Sequence, residues 1–187
     1  MTALSRIARI SRLTVALLTV TTSVASAQFG GGSLHGTSIA LSANAPFGDF
    51  DTKVQTGFGL ALYTGLGEPG EAWSGRGTFG FDRFGGKGTL DNVQFISYGF
   101  NIVHHSGTSF YQFGGLGLHT TTYNYKSQTD QVAAGTRNGS NFGLTGGIGV
   151  NFGSPDGTQT FVEFAATTLF TGNKNSAWFP VRIGLRF

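Results

Sequence analysis

The sequence contains no cysteine and only four prolines, and charged residues make up 11% of its 187 residues. The lack of cysteine excludes disulfide bonds, with which small exported domains usually reinforce a marginal core. It also removes thiolate ligands from any candidate metal site. The stability of the chain must therefore come from another source.

The first 27 residues are typical of a secretory signal peptide. A basic stretch, MTALSRIARISR, precedes the short apolar run LTVALLTV, and Ala25-Ser26-Ala27 gives a small-residue cleavage pattern. The apolar run is shorter than the roughly 20 residues that a membrane-spanning helix needs. We therefore predict that residues 1–27 are cleaved and that residues 28–187 form one exported domain.

Removal of residues 1–27 changes the charge balance. Three of the 12 basic residues lie there and none of the nine acidic ones, so nine basic residues face nine acidic ones in the remainder. The high pI is therefore no argument for nucleic acid as a partner. All 31 glycines and all the aromatic residues also lie after position 27, which gives nearly three times the usual glycine share of about 7%. This composition fits a backbone whose hydrogen bonds close on themselves in lipid.

The rest of the chain alternates between apolar and small or polar residues. In NFGLTGGIGVNF, for example, Phe142, Leu144 and Ile148 share one face, and Gly143 and Thr145 share the other. Turn-forming clusters of Gly, Asn, Asp, Ser and Pro separate such segments. The pattern predicts eight strands, at 34–44, 54–64, 72–83, 92–103, 109–123, 141–152, 159–170 and 178–187.

Two further expectations concern irregularities and connections. The fifth strand can be phased in two ways around Gly114-Gly115, which favours a β-bulge there. The odd-numbered links, above all 124–140, are expected to be longer than the even-numbered ones. Long loops at one end and short turns at the other are typical of outer-membrane barrels. Strands of this length can cross the hydrocarbon layer, and a lipid-exposed sheet must close. The predicted fold is all-β, a closed eight-stranded antiparallel up-and-down transmembrane β-barrel.

The sequence ends FPVRIGLRF, and it resembles the small bacterial outer-membrane β-barrels of the OmpA/OmpX and opacity-protein type. The resemblance implies a porin-like Gram-negative envelope protein located in the cell outer membrane. It implies contact with the lipid bilayer, and with periplasmic chaperones and the barrel assembly machinery during biogenesis. It also implies a monomer that needs no cofactor. In that family the alternating C-terminal strand is the assembly signal, and the matching residues here are Phe179, Val181, Ile183, Leu185 and Phe187.

A few charges are expected to face the barrel lumen. Arg76 and Asp82 lie on the third strand, Glu163 on the seventh, and Arg182 and Arg186 on the eighth. Buried charges persist when they are paired and hydrogen-bonded. We predict a contact between Glu163 and Arg182, with Arg76 or Arg186 sharing the carboxylate. A polar conduit or gate is one interpretation of this network. A packed lumen is favoured, because eight strands enclose just enough space for their own side chains.

The histidines offer little basis for a metal or catalytic site. His104 and His105 are expected in a turn and would point to opposite faces of a strand, and His35 and His119 have no evident partner. All four are interpreted as solvated turn or rim residues.

One enzymatic arrangement stays open, because lipid-modifying enzymes occur on this scaffold. It would combine His119 with Ser140 and Asp130. Nothing in their spacing requires such a site, so no catalytic, cofactor-binding or metal-binding residues are assigned.

Aromatic residues near the ends of the predicted strands fit the interfacial girdles of a membrane barrel. This set comprises Trp73, Phe79, Phe81, Tyr98, Phe100, Phe152, Phe170, Trp178 and Phe179.

The expected role is non-catalytic: structural, adhesive or membrane-stabilising, through extracellular loops. The long loop 124–140 is the expected site of contact with an extracellular partner. The alternatives are a lipid-modifying enzyme or a narrow solute channel on the same barrel, and a soluble periplasmic barrel resembling lipocalins.

Overall fold

The computed structural model describes residues 34–66, 71–107, 109–126, 135–154, 157–171 and 175–187. The predicted signal peptide lies outside these residues and stays a prediction. Eight antiparallel strands form the described structure, and one 3-10 turn, η1 (Gly48–Phe50), follows the first of them. The strands are β1 (Leu34–Phe47), β2 (Val54–Leu66), β3 (Trp73–Gly86), β4 (Leu90–His105), β5 (Phe110–Tyr125), β6 (Thr136–Phe152), β7 (Gln159–Phe170) and β8 (Ser176–Arg186).

The sheet closes on itself in sequence order, and β8 pairs with β1. The closing ladder runs from Ser38 opposite Arg186 to Phe47 opposite Ala177. Closure pairs the edges that an open sheet would leave exposed. We call the end that carries η1 and the β3–β4 turn the upper end, and the end where β1 begins and β8 finishes the lower end. The predicted fold class is confirmed.

The strand boundaries differ from the prediction in an informative way. Several strands continue to pair past the apolar stretches, so the β3–β4 connection shrinks to 87–89. The expected length contrast between the two ends is therefore wrong, apart from the long β5–β6 connection at 126–135. The bulge expected at Gly114-Gly115 is also wrong, because both residues pair regularly with β4 and β6. The register shifts instead between Val54 and Gly57 and between Leu90 and Asn92.

Alternation places large apolar side chains on the outside of all eight strands. On β6 alone, Phe142, Leu144, Ile148 and Phe152 point outward and are exposed. The inward positions of β6 carry glycines that leave room for rings from β5. A Cβ on Gly149 would clash with the Tyr111 ring, and one on Gly147 would lie 2.8 Å from the Phe113 ring. Within the described ranges, no helix is long and apolar enough to span a membrane.

Candidate functional site

The lower half of the lumen is organised around one carboxylate. Glu163, on β7, is fully buried. Its Oε1 contacts Nη1 of Arg76 and accepts a hydrogen bond from the Tyr111 hydroxyl at 2.9 Å. Its Oε2 accepts a hydrogen bond from the Tyr63 hydroxyl at 3.3 Å and lies 3.5 Å from Nη1 of Arg182. We call these five residues the glutamate cluster. Four donors from four other strands thus converge on a single acidic side chain.

The guanidinium of Arg76 has aromatic neighbours as well as an ionic partner. Its Cζ lies 4.3 Å from the centroid of the Tyr63 ring and 4.4 Å from that of Phe113. Cation–π contacts of this kind favour arginine, whose planar charge stacks on rings and is weakly hydrated. The cluster therefore combines charge pairing, hydrogen bonds and ring packing, which a buried ion pair needs in order to offset its desolvation.

The upper half of the lumen holds a different kind of packing. Phe50 descends from η1 into the barrel, where it meets Phe84 and Phe95 at ring-centroid distances of 5.1 and 5.8 Å. The Trp178 ring stacks on Phe95 at 5.0 Å and meets Phe84 edge-on at 5.7 Å. These four rings form what we call the aromatic cluster. Val54, Leu90, Val93 and Leu169 complete its buried surroundings.

Between the two clusters lies a mid-barrel cavity of about 60 Å³. Its lining includes Tyr63 and Arg182 from below, Trp178 from above, and His119 on β5 and Asp82 on β3 from the barrel wall. Asp82 Oδ1 accepts a hydrogen bond at 2.6 Å from the side-chain amide of Asn44. The centre of the barrel is therefore polar.

The structure brings Arg76, Glu163 and Arg182 together, as the sequence predicts, with Arg76 in the closest contact. Arg186 lies near the lower end and does not reach the carboxylate. Its Cζ stands 5.6 Å from the Tyr111 ring centroid and 5.8 Å from that of Phe161.

The histidines are placed differently from the prediction. His104 and His105 end β4 instead of forming a turn. His104 packs on Trp73 at 4.4 Å, and His105 is in hydrogen-bond contact with Ser74 at 3.3 Å. His119 is buried inside the barrel, so its interpretation as a solvated rim residue is wrong.

The enzymatic arrangement considered from the sequence is not assembled around His119. His119 is opposite Asn141 in the β5–β6 ladder, so the adjacent Ser140 points to the outer face while His119 points inward. Asp130 lies outside the described residues, as does the side chain of His35. Within the described part of the chain, no three His, Asp or Glu side chains stand close enough to hold a metal ion.

Trp178 was expected in an interfacial girdle, but its side chain is 1% exposed in the lumen. Residue parity explains the correction, because Trp178 shares the inward face of β8 with Pro180, Arg182 and Arg186. Other members of the expected girdle do face outward and are exposed, namely Trp73, Tyr98, Phe100, Phe152, Phe170 and Phe179.

The predicted assembly segment lies on the outer face at the barrel seam. Phe179, Val181, Ile183 and Leu185 pair with β1 residues and are exposed, as is Phe187. Their role as an assembly signal stays a prediction.

Sequence reasoning missed Tyr63, Tyr111 and Asn44. Each lies at an inward-facing position of its strand, where small residues occupy other inward-facing positions. That shared parity is the signal that could have found them.

No protein-family model and no curated protein sequence matches the chain. Solved structures do match, at low sequence identity. Ail, the attachment invasion locus protein of Yersinia pestis, superposes with a TM-score of 0.60 at 16% identity, over 81% of this chain and 97% of that one. The N-terminal β-barrel domain of Pseudomonas aeruginosa OprF gives 0.55 at 11% identity, over 83% and 99%.

The outer membrane enzyme PagL is also similar, with a TM-score of 0.53 at 14% identity, over 79% of this chain and 97% of that one. Both catalytic and non-catalytic roles thus occur among proteins of this shape, and identities this low show the fold alone. In its strand number, closure and topology, the chain has the fold of the small, OmpA/OmpX-like outer-membrane β-barrels.

Proposed function

We propose that the protein is an integral outer-membrane barrel with a non-catalytic role, structural or adhesive, and a packed lumen. The observation that carries this proposal is the outer surface. All eight strands expose large apolar side chains there, including Leu41 on β1, Phe58 on β2 and Ile183 on β8. Water-soluble monomers rarely expose apolar patches larger than a few hundred Å². Lipid is the solvent in which such a surface is stable, which disfavours the lipocalin-like alternative.

The filled lumen argues against a solute channel. The aromatic cluster occupies the upper half and the glutamate cluster the lower half, and the cavity between them measures only about 60 Å³. A continuous aqueous path would need both clusters to open. The outward position of Ser140 argues against the catalytic arrangement with His119. Unchanged lipid A acylation upon expression would support the non-catalytic role, and a change would favour an enzyme.

We place the external contact on the upper part of the β5–β6 hairpin, within 124–140. Its described residues are mostly polar, with two basic side chains, Lys126 and Arg137, and they are hydrogen-bonded across strands. The Asn124 amide donates to Oδ1 of Asn92 at 2.8 Å, and the Thr136 hydroxyl donates to Oδ1 of Asn124 at 3.2 Å. This polar extension of the sheet would stand clear of the apolar band and present hydroxyl and amide groups to a partner.

Membrane fractionation with heat-dependent gel migration tests the location. We expect the protein in the outer-membrane fraction, extracted by detergent, with a mobility that changes when the sample is boiled. Recovery in the soluble periplasmic fraction would contradict the proposal.

A pair of substitutions on one strand tests the lipid-facing surface itself. Leu144, which is 49% exposed, points outward at mid-strand on β6, and Ser140 points outward above it. In a lipid-embedded barrel, Leu144→Arg should lower the free energy of unfolding by about 2–4 kcal/mol, and Ser140→Arg by about 1 kcal/mol or less. Urea titrations in lipid vesicles measure both values. Equal small effects would indicate that this surface faces water.

A further inference from the structure

We propose that a row of polar side chains on the outer face of the barrel, centred on Arg83, binds the phosphate of an anionic lipid headgroup. The row consists of Arg83 on β3, Gln94 on β4, Thr122 on β5 and Asn138 on β6. The inference rests on the proposed membrane location and adds to it a lipid contact at a defined place. Three observations carry it: the register of four strands, the unpaired charge of Arg83, and the apolar side chains directly below.

The strand register places the four side chains of this row next to one another. Arg83 is opposite Gln94, Gln94 is opposite Thr122, and Thr122 is opposite Asn138. All four share the parity of the exposed apolar residues on their own strands, so they lie on the outer face. Adjacent strands are about 4.8 Å apart. One lipid headgroup can therefore contact several members of the row at once.

Arg83 is an exposed cation without a counter-charge. No acidic side chain in the described ranges forms an ion pair with it, whereas Lys87, at the β3–β4 turn, pairs with Asp51 at 3.1 Å. The guanidinium of an arginine presents a planar fork of donors that matches the oxygens of a phosphate. The charge of Arg83 is thus available to an anion that comes from outside the chain.

The neutral members of the row keep hydrogen-bonding capacity for the rest of a headgroup. The side-chain amide of Gln94 donates to Oδ1 of Asn92 at 3.0 Å, which uses one of its two N–H groups. The side chains of Thr122 and Asn138 form no hydrogen bond with any described residue. Amide and hydroxyl groups beside Arg83 can therefore bind oxygens that the guanidinium leaves free.

The position of the row on the outer surface identifies the anion as part of a lipid. One step below Arg83 and Gln94, the outer face carries Phe81 opposite Ile96. Phe58, opposite Arg83 on β2, is 60% exposed. Acyl chains attached to a phosphate at Arg83 would run down past these apolar side chains. A free anion would gain the charge contact alone.

The row is a local feature of the upper part of the outer surface. On β1 and β8 the corresponding region carries Phe47 and Phe179, whose rings stack at 4.3 Å, and β7 ends with the exposed Phe170. A lipid with a charged headgroup therefore has a preferred sector, over β3 to β6.

Native mass spectrometry of the protein released from detergent micelles tests the proposal. The probes are phosphatidic acid, whose headgroup is a phosphate monoester, and phosphatidylcholine with the same acyl chains. We expect the wild type to retain phosphatidic acid in preference to phosphatidylcholine. Arg83→Gln should lower the retained phosphatidic acid about fivefold, since one basic side chain at a membrane surface contributes about that factor to the attraction of anionic lipid. Equal retention of the two lipids by the wild type would overturn the proposal.

Arg137→Gln is the matched control for the loss of one arginine. Arg137 is exposed on the upper part of β6, but it has the inward parity of Asn141, and its replacement should leave the retained phosphatidic acid unchanged. Equal losses in the two variants would mean that net charge alone attracts the lipid, and the proposal would be wrong. Inorganic phosphate, added at the concentration of the phosphatidic acid, should not displace the lipid. Displacement would indicate a site for a free anion and would also overturn the proposal.

Heat-dependent gel migration of each variant shows that the barrel is folded, and it separates this inference from the proposed function. A wild-type protein that shows the mobility shift but retains both lipids equally would remove the lipid site and leave the membrane location intact. Recovery of the protein in the soluble fraction would contradict the location itself, and the lipid site with it.

Discussion

The two halves of the barrel lumen are both filled, but with opposite chemistry. The aromatic cluster above consists of rings that contact one another, and one of them, Phe50, lies on the β1–β2 connection. The glutamate cluster below consists of two guanidiniums and two phenols around one carboxylate. The upper packing rests on many small, interchangeable contacts. The lower packing rests on one residue to which all the others are bound.

This difference predicts how much stability each half of the lumen should lose on substitution. Removal of one ring leaves a cavity that its neighbours can partly fill. Removal of Glu163 leaves two buried cations and two buried hydroxyls without their acceptor, and small movements cannot supply a new charge. The lower half should therefore be the more sensitive to a single change, although both halves exclude solvent.

The largest effect is expected for Glu163→Gln. The substitution nearly preserves shape but leaves Arg76 and Arg182 without their counter-charge, so the free energy of unfolding should fall by about 3–5 kcal/mol. Urea titration of protein folded into lipid vesicles measures this value. Asp82→Asn is the matched control, because Asp82 receives its hydrogen bond from a neutral amide, and it should cost clearly less. If both variants lost the same free energy of unfolding, Glu163 would contribute no more to stability than Asp82 does.

A somewhat smaller loss, about 3–4 kcal/mol, is expected for Phe95→Ala, which leaves a hole beside Trp178 and Phe84. Phe100→Ala, on the outer face of the same strand, should cost less, because lipid can occupy the vacated space. The same titration compares the two variants. If Phe100→Ala proved as costly as Phe95→Ala, the aromatic cluster would not be the core of the upper half.

The smallest effect should separate the two tyrosines of the glutamate cluster. Tyr111 donates to Glu163 at 2.9 Å and Tyr63 at 3.3 Å. Hydrogen bonds to charged groups contribute about 1.5–3 kcal/mol, and they weaken with distance. Tyr111→Phe should therefore lower the free energy of unfolding more than Tyr63→Phe, as measured by parallel unfolding titrations. The reverse order would mean that the shorter contact does not dominate.

The fold could be predicted from the sequence because alternation has a fixed period. Each strand sorts its residues to two faces, and the count of strands follows. The same rule predicted that Arg76, Glu163 and Arg182 all face the barrel lumen. It was applied less strictly to Trp178, which was assigned to a girdle by residue type although its parity matches that of Arg182.

Other features lay beyond this rule. The descent of Phe50 into the lumen depends on η1, a short turn with no period to detect. The partners of Glu163 depend on barrel stagger, which decides how far Arg76 and Tyr111 reach across the lumen. Strand ends depend on turn geometry, as the tight 87–89 connection shows. Parity indicates which face a residue occupies, whereas depth and reach require the closed structure.

Planar-bilayer recording of the purified, refolded protein tests most directly the claim that both halves of the lumen are packed. We predict that wild-type protein inserted in the bilayer leaves the current at the baseline of the protein-free membrane, at either polarity. Incorporation is verified by the heat-dependent gel migration of the same preparation. Discrete, reproducible openings of the wild-type protein would contradict the account, because ions would then cross both clusters.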